Sequence, residues 1–193
     1  MKLFYTPRSH FSRKVRILAA FLDLDLDLLD VGNVAVQQVN QFGPNPLMKV
    51  PTLLDGEITV MDSDHIAQYL VRKSGSLDRF QVFTQEVNQL NARAVMNGVM
   101  AAEVELILAM RTGLDIDGLA RFSKLKASMH SGIEWLEANA GIFPEQPTYL
   151  AFHLVSMWDH LKFYTIMPLD HCQLGELTRR FSQDPKIAAT API

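Results

Sequence analysis

Two places in this chain put hydroxyl or carboxylate side chains where a helix must begin, and a helix beginning is where backbone N–H groups lack partners. The first is Asp62-Ser63, which precedes Ile66, Tyr69 and Leu70 at helical spacing. Its carboxylate, hydroxyl and free N–H groups can cap that helix, and the same groups can hold an anion or an ammonium group. A plain cap with no ligand is the alternative. The second is Ser9, the natural N-cap of a helix running from about His10 to Leu22, where a plain cap with no ligand is again the alternative. The histidines make poor metal ligands by spacing: His153 and His160 stand seven apart on one helix and His171 lies beside Cys172, with no close second pair. Structural roles are expected of them, and Met96, Met100, Met110, Trp135 and Met157 read as helical core.

These residues need elements to position them. Asn45 to Leu70 reads as a loop, a hairpin and a helix: Thr52-Leu53-Leu54 and Ile58-Thr59-Val60 are β-formers joined at Asp55-Gly56. Upstream, Lys2-Leu3-Phe4-Tyr5 is a strand that stops at Thr6-Pro7. The following helix has Phe11, Val15, Ile17-Leu18 and Phe21-Leu22 at helical spacing, which turns Arg13, Lys14 and Arg16 toward water. Leu24 to Val31 alternates as a half-buried strand does, and a short helix is expected from about Val34 to Gln41, ended by Gly43-Pro44. The order is β-α-β-α-β-β-α over residues 1–73, and Lys73-Ser74-Gly75-Ser76 reads as a linker. Residues 80–193 read as all-helical, with helices over about Phe80–Met110, Ile116–Asn139, Thr148–Tyr164 and Leu169–Phe181.

With 193 residues, 48% hydrophobic and 20% charged, the chain has an ordinary globular composition and can bury a core. A net charge of −3, with no basic run beyond Arg13-Lys14 and Arg16, indicates neither a nucleic-acid nor an anionic-membrane surface. Cys172 is the only cysteine, so no intrachain disulfide can form. The N-terminal apolar stretch is too short for a signal peptide and charges interrupt every long apolar segment, so a cytoplasmic location is expected.

Lys49-Val50-Pro51-Thr52-Leu53, followed by Asp62-Ser63 and Ile66…Tyr69-Leu70, resembles the glutathione-binding half of the thioredoxin-like domain of the glutathione transferases. The resemblance covers nearly the whole chain, since that family joins a thioredoxin-like α/β domain to a helical-bundle domain. It implies a cis Val50–Pro51 bond and a glutathione site made of Lys49, Val50, Pro51, Asp62 and Ser63. It also places Ser9, in Ser9-His10-Phe11-Ser12-Arg13-Lys14, on the catalytic position, with Ser12 and Tyr5 as alternatives.

A thiol like that of glutathione ionises near pH 8.5 and reacts only as the thiolate. A hydroxyl donor at a helix N-terminus lowers that pKa. A cysteine at the position would form a mixed disulfide and a serine cannot, which favours transfer of the thiolate to a small electrophile, with peroxide reduction as a relative. The resemblance further implies a homodimer that uses glutathione as co-substrate with no metal or prosthetic group. His10 stands where proline is usual and is expected to face solvent, with pH sensing or a ligand contact as alternatives. His65 is expected on an inward face. Thr148 keeps the capping hydroxyl of the buried helix, while Ala151 replaces its carboxylate partner. Some of Arg93, Asn97, Met100 and Arg111 are expected to face the first domain. The rival is a binding or regulatory protein of the same fold without catalysis, supported by His10, His65 and Ala151.

Overall fold

A computed structural model describes every residue except Val36 and Ile193. Its first part is β1 (Lys2–Tyr5), α1 (His10–Phe21), β2 (Asp27–Asp30), a 3₁₀ turn (Val39–Phe42), β3 (Thr52–Asp55), β4 (Ile58–Met61) and α2 (Ser63–Ser74). The strands form one mixed sheet in the order β2-β1-β3-β4, with β1 parallel to β2 and antiparallel to β3. This is the thioredoxin-like arrangement. Leu3 and Leu53 from the sheet close a buried cluster with Val15 and Ala19 of α1 and Ile66 and Leu70 of α2.

The second part is α3 (Val87–Arg111), α4 (Ala120–Ala138), α5 (Tyr149–Tyr164), α6 (Cys172–Phe181) and α7 (Pro185–Ala188), with a 3₁₀ turn at Ala140–Ile142. Met96, Met100, Leu106, Ile133, Leu154 and Met157 lie in its core, as helical spacing predicts. Met110 does not: it is exposed near the end of α3. A third cluster joins the two parts, with Ile17 and Leu18 of α1 and Ala67 and Val71 of α2 packed on Tyr149, Phe152, Phe181 and Ile187. Each fully buried aliphatic side chain here contributes about 1.5–3 kcal/mol.

Several boundaries differ from the sequence pattern. The helix expected at Val34–Gln41 is only the 3₁₀ turn Val39–Phe42, and Val36 lies outside the described residues. At its end Gly43 has φ +65°, and a Cβ there would lie 2.6 Å from the Phe4 ring. Residues 78–86 form a loop rather than the start of α3, because the Asp78 carboxylate accepts the N–H groups of Val82 and Phe83 at 2.8 and 2.7 Å. Phe80 and Val82 are therefore buried loop anchors, not helix positions. The hairpin turn itself is Gly56-Glu57, with Gly56 at φ +60°. Thr148 precedes α5, but its hydroxyl caps nothing and is buried without a partner among the described residues. The Tyr149 N–H goes instead to the Phe80 carbonyl at 2.9 Å.

The largest departure is on α1. Arg13 and Lys14 are buried, not turned to water, because α1 is covered by the sheet and α2 on one side and by α5 and α7 on the other. Arg13 donates to Asp159 at 2.7 Å, to the Val155 carbonyl and to Thr190. Lys14, fully buried, donates to Asp64 at 2.8 Å and to Asn97 at 3.1 Å. Asp64 also accepts from Tyr149 Oη and Asn97 Nδ2, each at 2.8 Å. Burial pushes the Asp64 carboxyl up, yet Lys14 and these hydrogen bonds outweigh it and hold the group well below the carboxylate range.

A group depressed in this way stabilises the fold above its unfolded pKa of about 3.9 and loses that contribution as pH falls below it. Asp64→Asn, which strands the Lys14 ammonium, should cost about 3–5 kcal/mol at pH 7 and progressively less only as pH falls toward ~2, because the contribution is lost through the depressed folded-state pKa and not at the unfolded one. Denaturant melts at the two pH values measure this. Glu176→Gln, which removes the exposed Arg179 pair, is the control expected to change nothing.

Candidate functional site

Strand register gathers the candidate residues at one end of the sheet. Phe4 pairs with Thr52 and Thr52 with Met61, so the chain leaving β1, the chain entering β3 and the chain leaving β4 lie side by side. The first leads to Ser9, the second is Lys49-Val50-Pro51 and the third is Asp62-Ser63.

Ser9 is the N-cap of α1, with φ −71° and ψ 111°. Its Oγ accepts from the Ser12 N–H at 3.1 Å and from the Ser12 hydroxyl at 3.0 Å. Both contacts use lone pairs of Ser9, so its own proton has no acceptor among the described residues and is available to an anion at a helix N-terminus. Ser12 is fully buried and spends its proton on Ser9. Tyr5 is half-buried, with the Arg16 guanidinium 5.0 Å above its ring.

The Val50–Pro51 bond is cis. Among the described residues, neither the N–H nor the C=O of Val50 has a hydrogen-bond partner, which leaves an extended backbone edge open. The loop before it is held by Asn45, a buried residue the sequence pattern did not single out. Asn45 Nδ2 donates to the Lys49 carbonyl and to Thr52 Oγ1, both at 3.0 Å, and Thr52 Oγ1 donates to the same carbonyl at 3.1 Å. Pro51 is buried and Lys49 is exposed.

Asp62, not Ser63, caps α2: one carboxylate oxygen accepts from the N–H groups of Asp64 and His65 at 2.9 and 3.3 Å. Its other oxygen is free among the described residues. Asp62 has φ +74°, a conformation that costs a non-glycine residue about 1–3 kcal/mol and persists only where its surroundings enforce it. Ser63 is nearly buried, its carbonyl accepts from Tyr149 Oη at 3.2 Å, and its hydroxyl is unpaired among the described residues. His65 points outward to solvent, so the inward packing expected of it is absent.

Behind Ser63 runs the polar seam that the sequence pattern missed. Asp64, Lys14, Asn97, Arg93 and Tyr149 converge there from α2, α1, α3 and α5, with Arg93 Nη2 3.7 Å from Asp64. Asn97 and Arg93 do reach the first domain, and the Met100 carbonyl does so through His10. Arg111 lies elsewhere, with Nη2 donating to Tyr164 Oη at 3.1 Å. His153, buried, sits between Lys14 Nζ at 3.4 Å and Met100 Sδ at 3.1 Å. The only hint of this seam in the sequence was polar residues on a helix that has no free face.

His10 is buried, against the expectation of a solvent-facing side chain. It stacks on His160 at 3.9 Å between centroids and 9° between planes, with Glu103 beside both. The donor atoms of the three lie within 4.8 Å of one another. Imidazole binds a metal in its ring plane, and two nearly parallel planes this far apart share no such point, so the arrangement is unsuited to a common ion.

Residues 3–76 match the family described as glutathione S-transferase, N-terminal domain. No curated protein sequence matches the chain. Among solved structures, a glutathione S-transferase from Methylobacillus flagellatus with glutathione bound is 23% identical, with a TM-score of 0.80 over 100% of this chain and 99% of that one. A glutathione transferase family member from Pseudomonas fluorescens with bound S-(propanoic acid)-glutathione is likewise 23% identical, with a TM-score of 0.80 over the same shares. A glutathione S-transferase from Methylobacterium radiotolerans in complex with glutathione sulfonate is 22% identical, with a TM-score of 0.79 over 99% and 94% of the two chains. Residues 3–76 thus match the glutathione S-transferase N-terminal domain model, and the chain as a whole has the two-domain fold seen in these glutathione transferase structures.

Proposed function

We propose that this chain is a glutathione transferase that ionises the thiol of glutathione at Ser9 and transfers it to a small electrophile, with peroxide reduction as a related outcome. The observation that carries the proposal is the unspent proton of Ser9. Its oxygen already accepts two hydrogen bonds from Ser12, at 3.1 and 3.0 Å, which leaves the O–H to donate to a thiolate. Two accepted bonds also polarise that O–H and strengthen it as a donor. A hydrogen bond to an ionised group is worth about 1.5–3 kcal/mol, and one pKa unit is 1.36 kcal/mol, so a shift of one to two units is within reach.

The remaining contacts follow the same logic. Val50 offers an unpaired N–H and C=O to the extended tripeptide backbone, next to Pro51. The free Asp62 oxygen suits the α-ammonium group of the γ-glutamyl end, and the Ser63 hydroxyl and the α2 N-terminus suit its carboxylate. Exposed Lys49 suits the glycyl carboxylate. The electrophile would enter between the domains, and no metal or prosthetic group takes part. A homodimer is part of the proposal, supported by Val87 and Leu90, which share one face of α3 and are 66% and 40% exposed.

Ser9→Ala should raise the apparent pKa of the bound thiol by about one unit or more while leaving glutathione affinity nearly unchanged. Thiolate absorbance followed against pH reads this directly. Tyr5→Phe should not move the titration, and Ser12→Ala, which removes a donor to Ser9, should move it less than Ser9→Ala does. A shift in Tyr5→Phe with none in Ser9→Ala would overturn the assignment.

Replacing Asp62 and Ser63 together by Ala should weaken glutathione binding by about 2 kcal/mol or more, beyond any effect on stability. Calorimetry beside a thermal melt separates the two, and unchanged affinity would reduce both residues to helix capping. Glutathione binding without turnover of a generic aryl halide would favour the non-catalytic reading.

A further inference from the structure

His10 follows Ser9 directly and is the first residue of α1, yet its side chain belongs to the other domain's core. Its Nε2 lies 3.2 Å from the Met100 carbonyl of α3. A carbonyl only accepts, so Nε2 carries the proton. One face of the ring lies flat on His160 of α5. The Phe11 ring is tilted against it at 4.6 Å, and the Tyr164 ring is tilted against His160 at 4.7 Å. We propose that His10 is a positioning residue for Ser9: its hydrogen bond to the Met100 carbonyl and its stack on His160 pin the first turn of α1 to α3 and α5, holding the Ser9 hydroxyl in one orientation. This rests on the reading of Ser9 as the thiolate donor.

The first turn of a helix needs such a pin because its N–H groups have no intrahelical partners and it frays first. Proline at this position supplies rigidity by itself, through its fixed φ. A histidine has no such constraint and takes its rigidity from what its ring touches. At the other end, Glu103, fully buried, has Oε2 2.8 Å from His160 Nδ1, off the line of an aligned hydrogen bond, and no other described group satisfies its carboxylate. Burial raises the Glu103 carboxyl above its ordinary value.

The pin is also constant across neutral pH. His10 faces Lys14 from α1, His153 and His160 from α5, and from α3 only Glu103 at 3.8 Å as a counter-charge. Burial first, then His160, push the imidazole well below its ordinary value. The ring therefore stays neutral and keeps its stack.

Amide hydrogen exchange of the ligand-free protein tests the pin without glutathione. In His10→Ala the Ser12 N–H, which is bonded to Ser9 Oγ, should exchange about tenfold faster or more, while Ile17 and Leu18 of the same helix keep their protection. His10→Pro should restore slow exchange at Ser12, since Ser9 already has the extended backbone that precedes a proline. If His10→Ala does not fold, His160→Gln removes the stack from the other side while leaving a partner for Glu103, and the same local loss at Ser12 is expected. Unchanged exchange at Ser12, or equal acceleration along all of α1, would overturn the pin. With glutathione bound, His10→Ala should raise the thiol pKa by about as much as Ser9→Ala does. A shift in Ser9→Ala with none in His10→Ala would also overturn the inference. No shift in Ser9→Ala would remove the reading of Ser9 instead, with the exchange result still deciding whether the pin exists.

Discussion

The Lys14 ammonium is fully enclosed, and no ion of that size survives burial without a partner. Burial lowers its pKa and Asp64 offsets only part of that, so the ammonium depends on its carboxylate partner to hold its charge. The partner comes from α2, the hydrogen bonds around it from α3 and α5, and the lysine from α1. Four helices from both halves of the chain are therefore placed by one ion pair. Tyr149, which donates to Asp64 and to the Ser63 carbonyl, carries that constraint to the edge of the candidate site. Its hydroxyl is raised well above its usual range by burial and then by Asp64, which keeps it a donor.

What the sequence made legible was whatever depends on local chemistry. The hairpin, the Ser9 cap and the α2 start follow from turn and cap residues that act within a few positions, and the order of elements along the chain follows with them. What escaped depends on what lies on the far side of an element. Arg13, Lys14 and His10 sit on the polar face of an amphipathic pattern, and that pattern points to water only when one face of the helix is free. α1 has none, because α5 packs where solvent was expected. The same blindness to neighbours hid Asn45, whose amide bonds a carbonyl and a hydroxyl several residues away, and it placed His65 inward when it is outward. The loop of residues 78–86 escaped for another reason: Phe80 and Phe83 stand at helical spacing, but the Asp78 carboxylate takes the Val82 and Phe83 N–H groups a helix would need.

The buried polar seam also explains why the site can be built from exposed chain ends. Val50, Asp62 and Ser9 each keep unpaired groups, and Asp62 holds a backbone conformation that is costly for its residue type. Such groups stay oriented only if something stiffer stands behind them. Behind Ser63 stands the Asp64 network, behind Val50 the Asn45 and Thr52 clamp, and behind Ser9 the first turn of α1 with His10 buried beneath it. Free donors and acceptors at the surface are thus each backed by enclosed polar groups close by in the chain. That pairing of an unspent group with a locked neighbour is what a preorganised binding site requires, because a ligand then meets dipoles already aimed and does not have to order them itself.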